Sequence, residues 1–238
     1  MKLDIAARLE LVEERIEAAC KRSGRKRQEI SLMGVTKMHP PEIAEAAWNA
    51  GIRLFGESRV QEGIAKYQKF WETHSPGDTG GITGLHFIGS LQRNKAKTAA
   101  GFFDCIQSVD RDSLIYELGT LTEGRENPLM LMLELHTGED TKAGFPDTES
   151  LFRAAEKVLE FPGMCPIGLM TMAPFTGDKN AIRRSFRQLA AAKDEMKRRF
   201  PGNWSCLSMG MSNDYEIAIE EGSTLIRIGT ALFGERET

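Results

Sequence analysis

Lys37 is the residue whose type and position most directly predict covalent chemistry in this chain. It follows the apolar run from Ile30 to Thr36, which is typical of a β-strand. Alternation along that strand puts Lys37 on the same face as Met33 and Val35, so an inward-facing strand would place a flexible amine among apolar neighbours. Such surroundings favour the neutral, nucleophilic amine that forms a Schiff base with an aldehyde. The alternative is a lysine that simply reaches solvent at the end of a strand.

Two segments near the C-terminus predict an anion-binding site. Ser208-Met209-Gly210-Met211-Ser212 ends one predicted strand, and Arg227-Ile228-Gly229-Thr230 ends the next. Small residues let backbone N–H groups approach a phosphate closely, and hydroxyls can donate as well. Arg227 lies in an otherwise apolar strand, where a buried guanidinium needs an acceptor from either a core carboxylate or a ligand. Ordinary loop residues are the alternative for both segments.

The order of the predicted elements decides whether these residues can meet. Short apolar runs predict eight strands near 30–36, 52–56, 85–89, 103–109, 128–135, 165–171, 205–209 and 224–229. Helical patterns lie near 41–50, 59–74, 91–101, 111–122, 147–160, 179–199 and 214–221, and an extra amphipathic helix covers 2–22. Such alternation needs parallel strands with helical crossovers. Eight units in 238 residues favour a closed (β/α)₈ TIM barrel of the α/β class over an open doubly wound sheet.

A barrel of this kind collects its reactive groups at the carboxyl ends of the strands, so Lys37 and both glycine-containing segments are expected at one mouth. Ser58 followed by Gln61 predicts a capping box at the start of the third helix. After the last strand only a short tail is expected. We therefore expect one domain over residues 1–238, with residues 1–24 as the additional N-terminal helix.

Composition limits the classes of partner. The chain has 31 Lys and Arg against 34 Asp and Glu, a net charge of -3, so no overall field draws it to nucleic acid or acidic lipid. Its four cysteines form no CxxC pair, and its four histidines share no metal-ligand spacing. No apolar run approaches a membrane span, and the charged N-terminus is unlike a secretory signal. We expect a cytoplasmic protein with a small-molecule ligand, no membrane partner and no metal.

Ten short motifs follow one another from about residue 30 to the end of the chain. They are Thr36-Lys37, Phe55-Gly56-Glu57, Val60-Gln61-Glu62, His86-Phe87-Ile88-Gly89, Leu91-Gln92, Asn94-Lys95, Lys142-Ala143-Gly144, Gly168-Leu169-Met170, Ser208-Met209-Gly210-Met211-Ser212 and Arg227-Ile228-Gly229-Thr230. Together they resemble the pyridoxal phosphate homeostasis protein family, whose members are single-barrel relatives of the alanine racemase N-terminal domain, a fold type III pyridoxal-phosphate barrel. The last two motifs are the most specific.

The resemblance implies that pyridoxal 5'-phosphate is the cofactor and that Lys37 holds it as a Schiff base. The implied phosphate cradle consists of Ser208, Met209, Gly210, Ser212, Gly229 and Thr230. Arg227 would face the pyridine nitrogen, where a permanently protonated guanidinium disfavours ring protonation and weakens the cofactor as an electron sink. Ser58, a further implied cofactor contact, is shorter than the Asn that the family usually has there.

The function implied by the resemblance is intracellular pyridoxal phosphate homeostasis. The chain would buffer or deliver the cofactor, with effects on amino-acid and keto-acid metabolism and with pyridoxal-phosphate-dependent apoenzymes as partners. We expect a monomer without efficient catalysis. Alanine racemases have a second domain that supplies a tyrosine base, and none is expected after the last strand here, whereas two-base racemisation needs a group on each face of the substrate.

Three alternatives remain open at this point. The first is a slow amino-acid racemase or related enzyme that uses Lys142 or Tyr215 as a base. The second is a Schiff-base aldolase without a cofactor, which would trap a carbonyl substrate on its lysine. The third is RNA binding by the basic cluster over residues 21–27, whose affinity would fall steeply with salt.

Overall fold

Eight parallel strands form a closed barrel in sequence order, and β1 pairs with β8 to complete it. The computed structural model describes residues 4–75, 82–138 and 143–235. The strands are β1 (Ser31–Val35), β2 (Leu54–Glu57), β3 (Gly84–Phe87), β4 (Cys105–Val109), β5 (Leu129–Glu134), β6 (Met164–Met170), β7 (Cys206–Met211) and β8 (Leu225–Ile228). The predicted (β/α)₈ barrel is confirmed.

Helices lie between successive strands, before the first strand and after the last. They are α1 (Ile5–Ser23), α2 (Pro41–Asn49), α3 (Val60–Thr73), α4 (Ala96–Phe102), α5 (Asp112–Thr122), α6 (Thr148–Leu159), α7 (Lys179–Arg199), α8 (Tyr215–Glu220) and α9 (Thr230–Phe233). The extra N-terminal helix is confirmed as α1. In the described part of the chain, no helix is both long enough and apolar enough to cross a membrane.

Two details of the sequence-based prediction are wrong. A short helix, α9, follows β8 where only a tail was expected, because four residues are too few to show a helical period. The capping box from Ser58 to Gln61 does not form, since α3 begins one residue later with Arg59 as its N-cap and without a side-chain cap. Glu57 is still paired with Phe87 in the sheet, so Ser58 lies in the bend between strand and helix.

The barrel has an inner and an outer core, as the alternation of side chains along each strand requires. Met33 and Val35 of β1 belong to the inner cluster with Met132 and Met170. Outward-facing residues of the strands, such as Phe55, pack against the helices in a larger cluster. The side chain of Lys37 is therefore in phase with the inner face of β1.

Helix α1 packs against α8 and α9, the two helices that follow the glycine-containing segments. Asp4 caps α1 by accepting a hydrogen bond from the N–H of Ala7 at 3.0 Å. Arg15 and Arg22 of α1 both form ion pairs with Glu216 of α8 at 2.9 Å. The additional helix thus supports, from outside the barrel, the elements that carry the predicted anion site.

Candidate functional site

A cavity of about 580 Å³ lies at the carboxyl ends of the strands. It brings together five residues predicted from the sequence, which are Lys37, Ser212, Arg227, Gly229 and Thr230. Much of its remaining wall is apolar, with Val35, Ile88, Met170 and Met172 among the lining residues. Its size and its few convergent polar groups are typical of a site for a small ligand.

Lys37 enters this cavity from a turn that directly follows β1. The residue is half-buried, and its neighbour Thr36 is completely buried and paired with β2 through an N–H that donates to the Gly56 carbonyl at 3.2 Å. The chain then reverses at Met38, whose φ of 63° lies in the left-handed region. A half-buried amine beside apolar walls is suited to attack on a carbonyl group.

Arg227 is buried, and its guanidinium is held by β7 and by the segment after β6. Its Nη1 donates to both the carbonyl oxygen and the hydroxyl of Ser208, each at 2.7 Å. Its Nη2 donates to the carbonyl of Thr171 at 2.9 Å. These neutral acceptors fix the orientation of the guanidinium at the wall of the cavity.

A chain of hydrogen bonds continues from Arg227 across the interior of the barrel. The Ser208 hydroxyl donates to Oε1 of Gln107 at 2.6 Å, and Gln107 Nε2 lies 2.8 Å from Nδ1 of His86. Because β4 and β7 are separated by β5 and β6, the contact between Gln107 and Ser208 must cross the lumen. An amide nitrogen can only donate, so Nδ1 of His86 accepts and its proton is on Nε2. Burial lowers the pKa of His86 to about 3, which keeps the ring neutral.

The segment after β7 is folded back by Asp214. Its Oδ1 accepts a hydrogen bond from the N–H of Met211 at 2.6 Å. Burial raises the pKa of this carboxyl above its ordinary value, and the Met211 N–H and the Arg227 charge offset part of the rise. The Ser212 hydroxyl accepts from the N–H of Ala231 at 3.2 Å, which joins this segment to α9. Ser212 and Thr230 consequently lie on one wall of the cavity.

Gly210 holds the same segment against the barrel. Its φ is 97°, and an added Cβ would lie 2.6 Å from Cβ of Ala218 and 2.9 Å from Cα of Tyr215. Only glycine therefore allows both this backbone conformation and the close packing of α8 on β7.

Four predicted residues do not line the cavity itself. Ser208 and Met209 are fully buried, Met209 in the outer core, and Gly210 contacts α8. Ser58 lines a neighbouring depression together with Gln61, outside the cavity that contains Lys37. Their direct contact with a cofactor stays a prediction, whereas Ser208 acts on the cavity through Arg227.

Neither of the two residues suggested as a racemase base is found in the described lining of the cavity. Lys142 lies outside the described residues. Tyr215 is buried and lines a depression beside the cavity, between α1 and α8, rather than the cavity that contains Lys37. Within the described residues, no group of His, Cys, Asp and Glu side chains could hold a metal ion.

Sequence reasoning missed several residues at the site. Asp214 lies two residues after the end of a predicted motif, and Gln107 is a polar residue in an apolar strand, so the sequence contained some indication of both. Nothing in the sequence pattern indicated Phe175. It lines the cavity from the segment before α7, and 89% of its surface is exposed. Its position depends on a loop conformation that no periodicity predicts.

Comparisons with known proteins agree with this architecture. The family model described as alanine racemase, N-terminal domain, matches residues 9–237. An alanine racemase structure from Clostridium difficile has a TM-score of 0.73 at 13% identity and shows the fold alone; the alignment covers 99% of this chain and 57% of that one. The barrel is therefore of the alanine racemase type.

Closer relatives match over nearly the whole chain. A pyridoxal phosphate homeostasis protein from Aquifex aeolicus is 38% identical over 236 residues, which cover 99% of this chain and all of that one. The structure of PipY from Synechococcus elongatus with PLP bound has a TM-score of 0.80 at 32% identity, and covers 97% of this chain and 100% of PipY. These similarities in sequence and fold show that the chain belongs to the pyridoxal phosphate homeostasis protein family.

Proposed function

We propose that this protein binds pyridoxal 5'-phosphate, holds it as a Schiff base on Lys37 and serves in the homeostasis of that cofactor. The observation that carries the proposal is that one cavity contains Lys37, Arg227, Ser212 and Thr230. The printed names of the relatives, and the PLP-bound structure of PipY, support the same cofactor.

The residues of the cavity fit the chemistry of this ligand. Lys37 offers an amine for the aldehyde carbon, and water leaves when the carbon–nitrogen double bond forms. Ser212 and Thr230 offer hydroxyls, and the backbone beside Gly229 offers N–H groups, on the wall where a phosphate would be held. Arg227 presents a fixed cation to the ring. When bound, pyridoxal phosphate supplies an electron sink for chemistry at amino-acid carbons.

The cavity supports the role of a carrier better than that of an efficient racemase. Among its described lining residues the ionisable groups are Lys37, Asp214 and Arg227. Asp214 already binds the Met211 N–H, and an arginine does not exchange its proton near neutral pH. Two-base chemistry needs a proton donor on each face of a substrate, and Tyr215 lines a separate depression.

The proposal also covers the oligomeric state, the compartment and the partners of the protein. We expect the protein to act as a monomeric single domain in the cytoplasm, to supply pyridoxal-phosphate-dependent apoenzymes and thereby to affect amino-acid and keto-acid metabolism. The free thiols of Cys20, Cys105, Cys165 and Cys206 are consistent with a reducing compartment.

The decisive experiment is a visible absorption spectrum of the purified protein with added pyridoxal phosphate, before and after borohydride reduction, followed by mass mapping. We expect a yellow protein with a reduced pyridoxyl adduct on Lys37, and no adduct in the Lys37→Ala variant. A protein that takes up no cofactor would overturn the proposal and favour the aldolase alternative. Turnover of a D- or L-amino acid that disappears in Lys37→Ala would replace the carrier with a racemase.

A further inference from the structure

A buried polar cluster lies directly behind Lys37, between β1, β2 and α3, and we call it the α3 cluster. It consists of Thr36, Glu57, Glu62, Lys66 and Tyr67. Oε1 of Glu57 accepts from the Thr36 hydroxyl at 2.8 Å and from Nζ of Lys66 at 2.6 Å. The Tyr67 hydroxyl lies 2.7 Å from Oγ1 of Thr36. The cluster therefore ties the end of β1 to α3 through side chains.

The ion pair in this cluster is almost completely removed from water. The side chains of Lys66 and Glu57 are 4% and 0% exposed. Desolvation raises the pKa of Glu57, and the Lys66 charge counteracts that rise. Apolar side chains of similar volume often stabilise a core as well as a buried ion pair does. These two residues are therefore expected to have a role beyond stability.

The contacts of the cluster point to the backbone around Lys37. Lys66 Nζ donates to the carbonyl of Thr36 at 2.6 Å, directly before Lys37. On the other side, the N–H of Met38 donates to a carboxylate oxygen of Glu62. That oxygen lies 3.3 Å from Lys66 Nζ, so the two contacts belong to one network. Both neighbours of Lys37 are thus held by side chains of α3.

The conformation of Met38 shows why this support is needed. Among the described residues, Met38 is the one non-glycine residue with positive φ, at 63°. This region is unfavourable for a side chain with a Cβ, so the turn needs contacts that stabilise it. The hydrogen bond to Glu62 supplies one at the residue that turns the chain after Lys37.

We propose that Lys66 and Glu62 are positioning residues for Lys37. With Glu57 they fix the backbone on both sides of Lys37, so that its amine points into the cavity without searching other conformations. The inference rests on the proposed function of Lys37 as the residue that binds the cofactor. In this proposal, the Val60-Gln61-Glu62 motif acts through Glu62 at the turn after β1 and does not contact the ligand.

Glu62 gives the sharper test, because its side chain is 23% exposed and its loss leaves no buried charge without a partner. Glu62→Ala removes the acceptor for the Met38 N–H, whereas Glu62→Gln keeps a carbonyl acceptor at that place. Glu72→Ala is the matched control, since Glu72 is exposed on the same helix. Each variant is titrated with pyridoxal phosphate and followed by visible absorption and by circular dichroism of the bound cofactor.

We expect Glu62→Ala to bind about tenfold more weakly, while Glu62→Gln and Glu72→Ala stay within about twofold of the wild type. The double variant Lys66→Met/Glu57→Met removes the ion pair without leaving a lone buried charge. It should unfold at a similar urea concentration to the wild type and yet show the same loss of cofactor binding. If the double variant does not fold, the cofactor affinities of the Glu62 variants are sufficient to test the positioning role.

The outcomes separate this inference from the proposed function. A wild type that forms no Lys37 adduct on borohydride reduction overturns both. A wild type that forms the adduct, with folded Glu62→Ala protein of unchanged affinity and spectrum, overturns the positioning role alone. Equal losses in Glu62→Ala and Glu62→Gln would also contradict it, because the acceptor would then not be the feature that matters.

Discussion

The hydroxyl of Ser208 accepts a hydrogen bond from Nη1 of Arg227 at 2.7 Å and donates one to Oε1 of Gln107 at 2.6 Å. Ser208 therefore belongs to the support of the arginine and is not exposed in the cavity that contains Lys37. These hydrogen bonds all run in one direction. The guanidinium donates to the hydroxyl, the hydroxyl donates to the Gln107 amide oxygen, and the amide nitrogen donates to Nδ1 of His86. Side chains and carbonyl groups of the barrel interior thus fix the orientation of Arg227.

Ser208→Ala tests this support. The substitution leaves Oε1 of Gln107 without its donor and removes one acceptor of Arg227, so we expect the free energy of unfolding to fall by about 1–3 kcal/mol. Cofactor retention should weaken as well, because the guanidinium loses a fixed partner. Urea unfolding and cofactor titration measure the two effects. Ser113→Ala, an exposed serine on α5, should change neither, and equal behaviour of the two variants would contradict the proposed support.

His86 predicts a pH dependence of stability. Its pKa falls from 6.5 to about 3 on burial, so between those values the unfolded chain binds a proton that the folded chain rejects. Stability therefore rises with pH across this window, by up to about 1.4 kcal/mol per pH unit. This contribution is complete above pH 6.5 and is lost as the pH falls through about 3.

The measurement for His86 is urea unfolding at several pH values between these limits. His86→Asn keeps an acceptor for the Gln107 amide but does not titrate, so its stability should depend less on pH than that of the wild type. Ser113→Ala, at the exposed serine on α5, is the control and should keep the pH dependence of the wild type. A His86→Asn variant with the same pH slope as the wild type would show that another group causes the acid sensitivity.

The barrel could be predicted because the hydrophobic patterns of the single elements and the order of those elements along the chain indicate the same fold. Each strand is a short apolar run and each longer helix has an amphipathic period, so the order of elements alone selects the fold. Lys37, Ser212, Arg227 and Thr230 could be placed at one mouth for the same reason, since residues that follow parallel strands meet at one end.

The supporting contacts could not be predicted in this way. The hydrogen bond between Gln107 and Ser208 joins residues that are 101 positions apart, and it depends on which side chains meet across the lumen. The Met38 turn and the contact with Glu62 likewise depend on how α3 packs against β1 and β2. The capping box predicted from Ser58 to Gln61 shows the same limit, because a local motif does not decide at which residue a helix begins.

Ser58→Asn tests the prediction that the residue at this position contacts the cofactor. Ser58 lines the depression beside Gln61 and not the cavity with Lys37, so we expect cofactor affinity to change by less than about twofold. The measurement is a titration with pyridoxal phosphate followed by visible absorption. An affinity that increased by about tenfold would show that an amide at this position reaches the ring and that serine weakens its retention.

Gly210→Ala tests whether the close packing of α8 on β7 shapes the cavity wall that carries Ser212. Gly210 and Gly222 have similar φ values, 97° and 99°, but an added Cβ meets Ala218 and Tyr215 at position 210 and nothing within 4 Å at position 222. Gly222→Ala should therefore cost about 1 kcal/mol for the backbone alone, whereas Gly210→Ala should cost about 3 kcal/mol or more. Urea unfolding gives the difference, and only Gly210→Ala should also weaken cofactor binding, since it displaces the segment that carries Ser212. Equal costs for the two variants would mean that α8 moves away easily and that Gly210 is needed only for its backbone conformation.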